Sequence, residues 1–314
     1  MNFNTQNLNI DFVKHRNKFF LFSGILSLLG VILLFTAGFN LGIDFQSGSR
    51  VEVLSQESLT AEEISEEFAS IDESLIPDDI VLAGDNNEIA NARFTVELPN
   101  DQIAQIQNHF SELYGAEPNV STVSPMVGQE LARNAVISVI LAAVGITIYV
   151  AIRFEFLFGV AAIVGLIHDA LFVLMVFSLF QIEINIPFIA AILTVVGYSI
   201  NDTIVTFDRI RENVKYAKRV KGFDDLSDIV NKSILQTLAR SINTALTVAF
   251  AAVAIMIFGG EAIRSFAFAL VIGLIAGTYS SMFLAAQLWV VWKTKSLKNK
   301  KNKPKRKEEL EPTP

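Results

Sequence analysis

The chain has 314 residues, of which 52% are hydrophobic, and a mean hydropathy of +0.45. This composition excludes an ordinary soluble globule and indicates a protein that crosses a membrane several times. Because the sequence contains no cysteine, it excludes disulfides, thiol catalysis and cysteine-based metal sites. The net charge of −7 averages an acidic segment at 41–130 and a basic segment at 293–307. This asymmetry indicates which segments lie on which side of the membrane. It does not indicate a nucleic-acid partner, and none is expected.

The amino end predicts a membrane anchor that is not cleaved. Residues 1–18 form a short, polar and basic arm, and residues 19–39 form a run of 21 residues without a charge. About 20 residues suffice for a helix to span the hydrocarbon core. The run ends in Ala37-Gly38-Phe39, a poor match to a signal-peptide cleavage site. We therefore expect transmembrane helix 1 at 19–39, with a cytoplasmic arm before it.

Residues 40–134 predict a small folded α+β domain outside the membrane. This segment is the only sizeable polar stretch, and its apolar residues alternate with the periods of strands and helices. The resulting order, β-α-β-β-α-β, is typical of a ferredoxin-like sandwich. The individual predictions are strands at 50–54, 80–83, 92–98 and 119–123, helices at 61–70 and 101–114, and a turn at 84–87.

Five further apolar runs follow between residues 135 and 292. They predict transmembrane helices 2–6, at 135–152, 156–180, 186–207, 242–258 and 266–291. Residues 209–235 contain seven Lys or Arg and predict a polar loop, and residues 293–314 predict a disordered Lys-rich tail. Since Lys and Arg favour the cytoplasmic side, we expect both termini and this loop in the cytoplasm and the acidic domain outside.

A carboxylate lies inside the fourth apolar run. Asp202 follows Asn201 within a stretch that is otherwise hydrophobic. A charge at membrane depth costs about 3 kcal/mol on insertion scales, so it usually faces the interior of a bundle or a water-filled path. We interpret Asp202 as a functional group; the alternative is a structural hydrogen bond to a neighbouring helix.

Arg240 is the predicted charge partner of this carboxylate. Asp202 lies 15 residues after Pro187, which is roughly 22 Å along a helix. Helical spacing of apolar residues begins before the fifth run, near Ser233, and puts Arg240 about 28 Å from Gly259. The two depths differ by about one helical turn, a distance that an arginine side chain can bridge. The alternative is that Arg240 extends to lipid phosphates.

Polar residues recur at helical spacing on both helices. Tyr198, Asp202 and Thr206 are four residues apart on the fourth span. The corresponding polar face of the fifth span contains Thr237, Arg240 or Ser241, Thr244 and Thr247. Such a seam suits a proton path. It is also compatible with ordinary interhelical hydrogen bonding, which is modest in energy.

The third run contains His168 and Asp169 near its middle. We rank them as secondary candidates for the proton path. Because adjacent residues point in different directions on a helix, we do not expect both side chains at one site.

Other motifs are few. Gly273, Gly277 and Ser281 recur every four residues in the sixth run, a spacing that lets two helices approach closely. The sequence contains no Walker loop, HExxH motif or serine nucleophile elbow. We therefore expect a non-enzymatic transport protein without a cofactor, driven by an ion gradient or by a partner.

Five motifs together resemble the SecF family, the smaller membrane subunits of the SecD–SecF complex of bacterial protein export. The resemblance covers nearly the whole chain. The motif after the first span contributes Gly42, Asp44, Phe45 and Gly48. The five motifs are LGIDFQSG at 41–48, LIHDALF in the third span, VGYSINDTIVTFDRIREN at 196–213, LARSIN around Arg240 and FGGEAIRSFAFAL before the last span.

The resemblance implies a place in the resistance-nodulation-division (RND) superfamily, in which six-helix halves pair into a twelve-helix core. It implies that SecD supplies the other half and that proton flow moves external domains that pull on an emerging preprotein. Asp202 then falls on the family's ion-pathway acid and Arg240 on its partner. The implied surroundings are the bacterial cytoplasmic membrane and its lipid, the SecYEG translocon with SecA, and accessory proteins of the YajC and YidC types.

One residue departs from the family pattern. The motif commonly continues with two glycines, and Ser47 replaces the first of them. If that position needs a positive φ angle, Ser47 is strained; the alternative is a subfamily variant. Met1 and the short arm suit a separate subunit, and half of a SecD–SecF fusion remains open. The rival functions are a half-transporter of lipids or small molecules from the same superfamily and a passive assembly subunit.

Overall fold

A computed structural model describes residues 10–84, 86–217, 220 and 222–302. Residues 1–9 of the predicted arm, Asp85 of the predicted turn and the predicted tail beyond residue 302 lie outside this part of the chain. Lys218, Arg219 and Lys221 of the predicted loop at 209–235 also lie outside it. In chain order the elements are α1 (Arg16–Thr36), α2 (Ile43–Gln46), β1 (Gly48–Leu54), α3 (Ala61–Ile71), β2 (Asp79–Ala83), β3 (Ile89–Phe94), α4 (Asn100–Tyr114), β4 (Asn119–Val123), α5 (Pro125–Arg153), α6 (Phe156–Phe180), α7 (Ile186–Tyr216), α8 (Phe223–Phe258), α9 (Glu261–Ser280), a π-helical turn (Ser281–Ala285) and α10 (Ala286–Asn302).

Six helical segments of the described chain are long and apolar enough to cross a membrane, as the sequence predicts. They are α1, α5, α6, α7, α8 and a continuous last segment at 263–299, in which the π-helical turn joins α9 to α10. Many of their large apolar side chains face outward, which suits a lipid environment.

The domain between α1 and α5 is a ferredoxin-like sandwich, as predicted. Its four strands form an antiparallel sheet in the order β2-β3-β1-β4. One face packs against α3 and α4 around a core that includes Val51, Phe68, Phe94 and Phe110. Thr60 caps α3 by accepting a hydrogen bond from the Glu63 N–H at 3.2 Å. The other face contains Arg50, Asn91 and Arg93, which line a cavity beside the ends of the membrane helices.

The predicted strand at 92–98 is displaced in the structure, where β3 is Ile89–Phe94. After Phe94 the backbone leaves the sheet and binds side chains. The Thr95 N–H donates to Asp78 at 2.6 Å, and the Leu98 N–H donates to the Ser49 hydroxyl at 2.9 Å. Leu98 is nevertheless buried. Its apolar side chain among polar neighbours therefore gives the alternating pattern of a strand, although the backbone there is not part of the sheet.

The predicted polar loop at 209–235 is wrong, because most of it is helical. Helix α7 continues to Tyr216 and α8 begins at Phe223. Leu226, Val230 and Ile234 are four residues apart and fully buried, so the polar segment has one apolar face. A prediction of transmembrane helices from apolar runs detects only the residues within the hydrocarbon core. It therefore misses the parts of α7 and α8 that continue beyond the membrane.

The predicted disorder from residue 293 onward is also wrong as far as residue 302, since α10 extends to Asn302. The Lys293 ammonium binds the Glu155 carboxylate at 2.6 Å, and Thr294 is buried. At the other end of the bundle, the predicted second span is the later part of a longer helix, since α5 begins at Pro125.

The GxxxG motif lies where α7 and α9 pack. A Cβ atom added to Gly273 would lie 2.1 Å from Val195 Cγ2, and one added to Gly277 would lie 3.1 Å from Ser199 Cβ. The two helices therefore approach as closely as the motif predicts. With α8 packed against both, their junction surrounds Asp202.

Candidate functional site

Asp202 lies at the junction of α7, α8 and the π-helical turn, beside a cavity of about 80 Å³. Its carboxylate is half-buried and accepts hydrogen bonds from two hydroxyls, those of Ser241 and Ser281. The first serine belongs to α8 and the second opens the π-helical turn. The acid therefore faces the interior of the bundle, as the sequence predicts.

Arg240 lines the same cavity as Asp202, but its side chain is exposed. In the part of the chain that the structure describes, no direct ion pair joins the two side chains. The predicted direct pair is therefore not formed in this structure, and the direct partners of the carboxylate are the two serines.

Three other predicted residues, Tyr198, Asn201 and Thr244, also line the cavity. Thr206 does not. It is fully buried, and its hydroxyl has no hydrogen-bond partner among the described residues. The four-residue spacing places Thr206 on the same side of α7 as Asp202. One turn after Asp202, however, this side of the helix is covered by other residues and no longer faces the cavity.

Asp169 forms a second buried carboxylate site on α6. It is 1% exposed and accepts hydrogen bonds from Ser199 at 2.5 Å and Ser280 at 2.7 Å. The Nδ1 atom of His168 lies 3.2 Å from its other oxygen. The expectation that adjacent residues could not meet at one site is wrong, because the two side chains bend toward each other.

Two consecutive serines connect the carboxylate sites. Ser280 ends α9 and donates to Asp169, and Ser281 begins the π-helical turn and donates to Asp202. π-Helical turns are frequent at functional sites. The sequence contained a signal for Ser281, which continues the four-residue spacing of Gly273 and Gly277, but that spacing predicts packing rather than a hydrogen bond.

The site contains groups that can exchange protons. Each carboxylate is surrounded by hydroxyls, which can donate to an ionised acid or accept from a protonated one. Among the described residues, no three His, Asp or Glu side chains are grouped so that they could hold a metal ion. The carboxyl and hydroxyl groups of this arrangement are therefore able to accept and donate protons.

The motif after α1 lies away from the cavity, where the α+β domain meets the membrane helices. Asp44 accepts a hydrogen bond from the Ile186 N–H at 2.9 Å, at the first residue of α7. The Gly42 N–H donates to the Ile184 carbonyl at 2.9 Å, and a side chain at residue 42 would collide with Glu183. Phe45 packs against the apolar cluster around Ile184. These residues fasten the domain to α7 rather than bind an ion.

Ser47 and Gly48 both have positive φ angles. Ser47 has φ 66° and ψ 169°, a region that is essentially restricted to glycine. Gly48 has φ 124°, and a Cβ atom there would lie 2.2 Å from the Phe94 carbonyl oxygen. The expected strain at Ser47 is therefore present, whereas Gly48 occupies a position that admits no side chain.

Comparison with known families identifies the chain. The profile of the family described as protein export membrane protein SecD/SecF, C-terminal, matches residues 103–295, which is more than half of the sequence. The chain belongs to the SecD/SecF family. A second profile, the SecD/SecF GG motif, matches residues 32–58 and so includes Ser47. The fold and the family expected from the sequence motifs are thus confirmed, and the chain is a multi-pass membrane protein of a protein-export family.

Individual relatives agree with the family profiles. The chain is 43% identical to protein translocase subunit SecF of Alicyclobacillus acidocaldarius, over 92% of this chain and 94% of that one. It is 49% identical to protein translocase subunit SecDF of Bacillus subtilis, over 92% of this chain but 39% of that protein. The crystal structure of SecDF, a translocon-associated membrane protein from Thermus thermophilus, matches with a TM-score of 0.80 at 34% identity, over 92% of this chain and 39% of that one. The chain thus spans about two fifths of the SecDF proteins it matches.

Proposed function

We propose that this chain is a SecF-type subunit of the Sec export machinery, coupling the proton gradient across the bacterial cytoplasmic membrane to the export of unfolded preproteins. The supporting observation is the cavity at the junction of α7, α8 and α9, in which Asp202 and Arg240 face a common space. A carboxylate is expensive at membrane depth, and an ion path is the usual reason for one. The chain acts as a transport subunit, not as a hydrolase.

In this proposal Asp202 takes up a proton from one side of the membrane and releases it to the other. Its hydrogen bonds to Ser241 and Ser281 join α7 to α8 and to the last membrane helix. A proton on the carboxylate weakens its acceptance of these bonds and its attraction to Arg240. The helices then rearrange, while Tyr198 and Asn201 shape the path.

Movement of α7 reaches the external domain through its first residues. Asp44 binds the Ile186 N–H at the start of α7, and Arg50 pairs with Glu183 just before that helix. These contacts connect the sheet to the helix that contains Asp202. They give the proton site a direct mechanical link to the domain that contacts the preprotein.

The same proposal assigns partners and topology. The matches to SecDF, of which this chain spans 39%, support a SecD-type half as the partner that completes a twelve-helix core. SecYEG with SecA and accessory proteins of the YajC and YidC types act with that complex. Both termini lie in the cytoplasm and residues 40–134 lie outside, in agreement with the distribution of Lys and Arg.

The test is gradient-driven export by vesicles that contain Asp202→Asn. We expect the complex to assemble at normal abundance and gradient-driven export to be lost. The control is Asp208→Asn on the same helix, because that carboxylate binds Arg153 and Arg211 near the surface. Unchanged export with Asp202→Asn would refute the proton role. Equal losses in both variants would show a general effect of charge on α7.

Two rivals make different predictions. A half-transporter of lipids or small molecules predicts that depletion changes lipid or drug efflux, whereas the proposed function predicts loss of preprotein export alone. A passive assembly subunit predicts that Asp202→Asn and Arg240→Ala act only by lowering protein abundance. Export activity normalised to abundance separates this rival from the proposal.

A further inference from the structure

A second cavity, distinct from the one beside Asp202, lies between the open face of the external sheet and the ends of the membrane helices. Its volume is about 330 Å³. The sheet contributes Arg50, Asn91 and Arg93, and the helices contribute Arg264 and Phe268. None of these residues belongs to the proposed proton path.

Charged side chains of both signs line this cavity. Among the described residues they are three guanidiniums and the two carboxylates of Asp79 and Glu183. Glu183 is paired with Arg50. Arg50 and Arg93 are also the only Lys or Arg residues in the acidic segment at 41–130, and both lie here. Both basic side chains of this segment therefore lie on the sheet face that points toward the membrane helices.

Two buried donors of this sheet face lack a partner among the described residues. They are Asn91 Nδ2 and Arg93 Nε. Asn91 is only 7% exposed. Arg93 uses another nitrogen to bind Asn40 Oδ1 at 2.8 Å and the Leu41 carbonyl at 3.2 Å, so its orientation is fixed. Buried donors are almost always satisfied in folded proteins, so a ligand with oxygen acceptors would complete this site.

The helix side of the cavity includes three apolar side chains and lies where the membrane helices end. Ile182, Met256 and Phe268 line it. Helix α6 has ended at Phe180, and α9 begins at Glu261. This is the level of lipid headgroups, where arginine and the amino end of a helix both favour a phosphate group.

We propose that this cavity binds the phosphate headgroup of an anionic phospholipid from the leaflet next to the external domain. Asn91 Nδ2 and Arg93 Nε donate to the phosphate oxygens, with Arg264 beside them. The glycerol and the first part of the acyl chains lie against Met256 and Phe268. The lipid fills the gap between the sheet and the membrane helices.

The experiment uses the full chain, purified and stripped of lipid, and measures bound lipid by native mass spectrometry. The probes are phosphatidylglycerol, phosphatidylcholine and inorganic phosphate. The variant is Asn91→Asp, which keeps the side-chain shape but replaces the unpaired donor with a negative acceptor. The control is Asn119→Asp, the same change at an exposed position on β4 of the same sheet.

We expect the unchanged chain and the Asn119→Asp variant to retain phosphatidylglycerol more strongly than phosphatidylcholine. Asn91→Asp should weaken phosphatidylglycerol binding by about tenfold or more. Equal retention of the two lipids, or unchanged binding by Asn91→Asp, would overturn the proposal, and binding of inorganic phosphate alone would overturn the lipid assignment. If Asn91→Asp does not fold, Arg264→Gln decides, with the same loss expected. Asp202→Asn should bind phosphatidylglycerol normally, so this result is separate from the proton role.

Discussion

Asp169 and Asp202 lie on neighbouring helices and are joined through two consecutive serines, Ser280 and Ser281. Each serine donates to one of the carboxylates, so both acids depend on the backbone of the same short segment. We therefore expect a change of hydrogen bonding at one acid to shift the serine that donates to the other acid. The π-helical turn that begins at Ser281 is the structural element they share.

The two serines that bind Asp202 should be partly redundant. Ser241→Ala or Ser281→Ala alone leaves the carboxylate with one hydroxyl donor, whereas the double variant leaves it with none. We expect each single variant to retain part of the gradient-driven export and the double variant to lose more than the sum of the two losses. Export rates in a double-mutant cycle measure this coupling. Strict additivity would show that the two hydroxyls act independently of each other and would contradict the expected redundancy.

Asp169 should be required for the stability of the bundle. Asp169→Leu removes the acceptor of the Ser199 and Ser280 hydroxyls, and each buried group without a partner costs about 1–3 kcal/mol. Asp169→Asn keeps an acceptor oxygen and the shape of the side chain. We expect thermal unfolding in detergent to occur well below that of the unchanged chain for Asp169→Leu, but close to it for Asp169→Asn. Equal stability of the Leu variant would contradict the structural role.

The backbone at residues 47 and 48 predicts opposite effects of two small substitutions. Ser47→Gly relieves a conformation that costs about 1–3 kcal/mol for a non-glycine residue, so we expect higher thermal stability. Gly48→Ala places a methyl group against the Phe94 carbonyl and should strongly destabilise the domain. Circular dichroism of both variants during heating tests this pair. A Ser47→Gly variant that is less stable would show that the serine hydroxyl outweighs the strain.

The contact between α7 and α9 predicts a rescue experiment. Gly273→Ala pushes a methyl group into Val195, so we expect a loss of about 1–3 kcal/mol from overpacking. Val195→Ala in the same chain opens the space and should restore most of that loss. Gly145→Ala is the matched control, because nothing lies within 4 Å of a Cβ atom there. Denaturation midpoints that are the same for the single and double variants would exclude this contact as the cause.

The α+β domain should lose stability at high pH through Tyr114. Burial of the phenol, with repulsion from the nearby carboxylates of Glu63 and Glu67, raises the pKa of Tyr114 from 10.0 to about 12. The neutral phenol is thus favoured in the folded state, and its stabilising contribution is present below pH 10 and lost as the pH rises toward 12. Tyr114→Phe should abolish this part of the pH dependence, and difference absorbance of tyrosinate checks the pKa. Ionisation of Tyr114 near pH 10 would contradict the prediction.

The sandwich and the six spans could be predicted because their signals are local. Strand alternation, helical spacing and a run of uncharged residues depend on neighbours in sequence. The prediction of a loop at 209–235 was wrong because it, too, used only local signals. Its apolar stripe of Leu226, Val230 and Ile234 is sparse among polar residues, and only packing inside the bundle shows that it forms a helix.

The site was predictable in part. A carboxylate in an apolar run identifies Asp202 from the sequence alone, and counting along helices brings Arg240 to the same cavity. Ser241, one direct partner of Asp202, lies on the polar face predicted for the fifth span, but the serines of the last membrane helix could not be found in this way. Ser281 reaches Asp202 across 79 residues of sequence, and Ser280 reaches Asp169 across 111. Both contacts depend on how α6, α7 and α9 pack.

The Asp44 carboxylate binds the N–H of the first residue of α7. Ile186 and Asp202 are 16 residues apart on this uninterrupted helix, which corresponds to about 24 Å. A tilt of the helix at Asp202 would therefore displace its first residue, and with it the point at which the domain is attached.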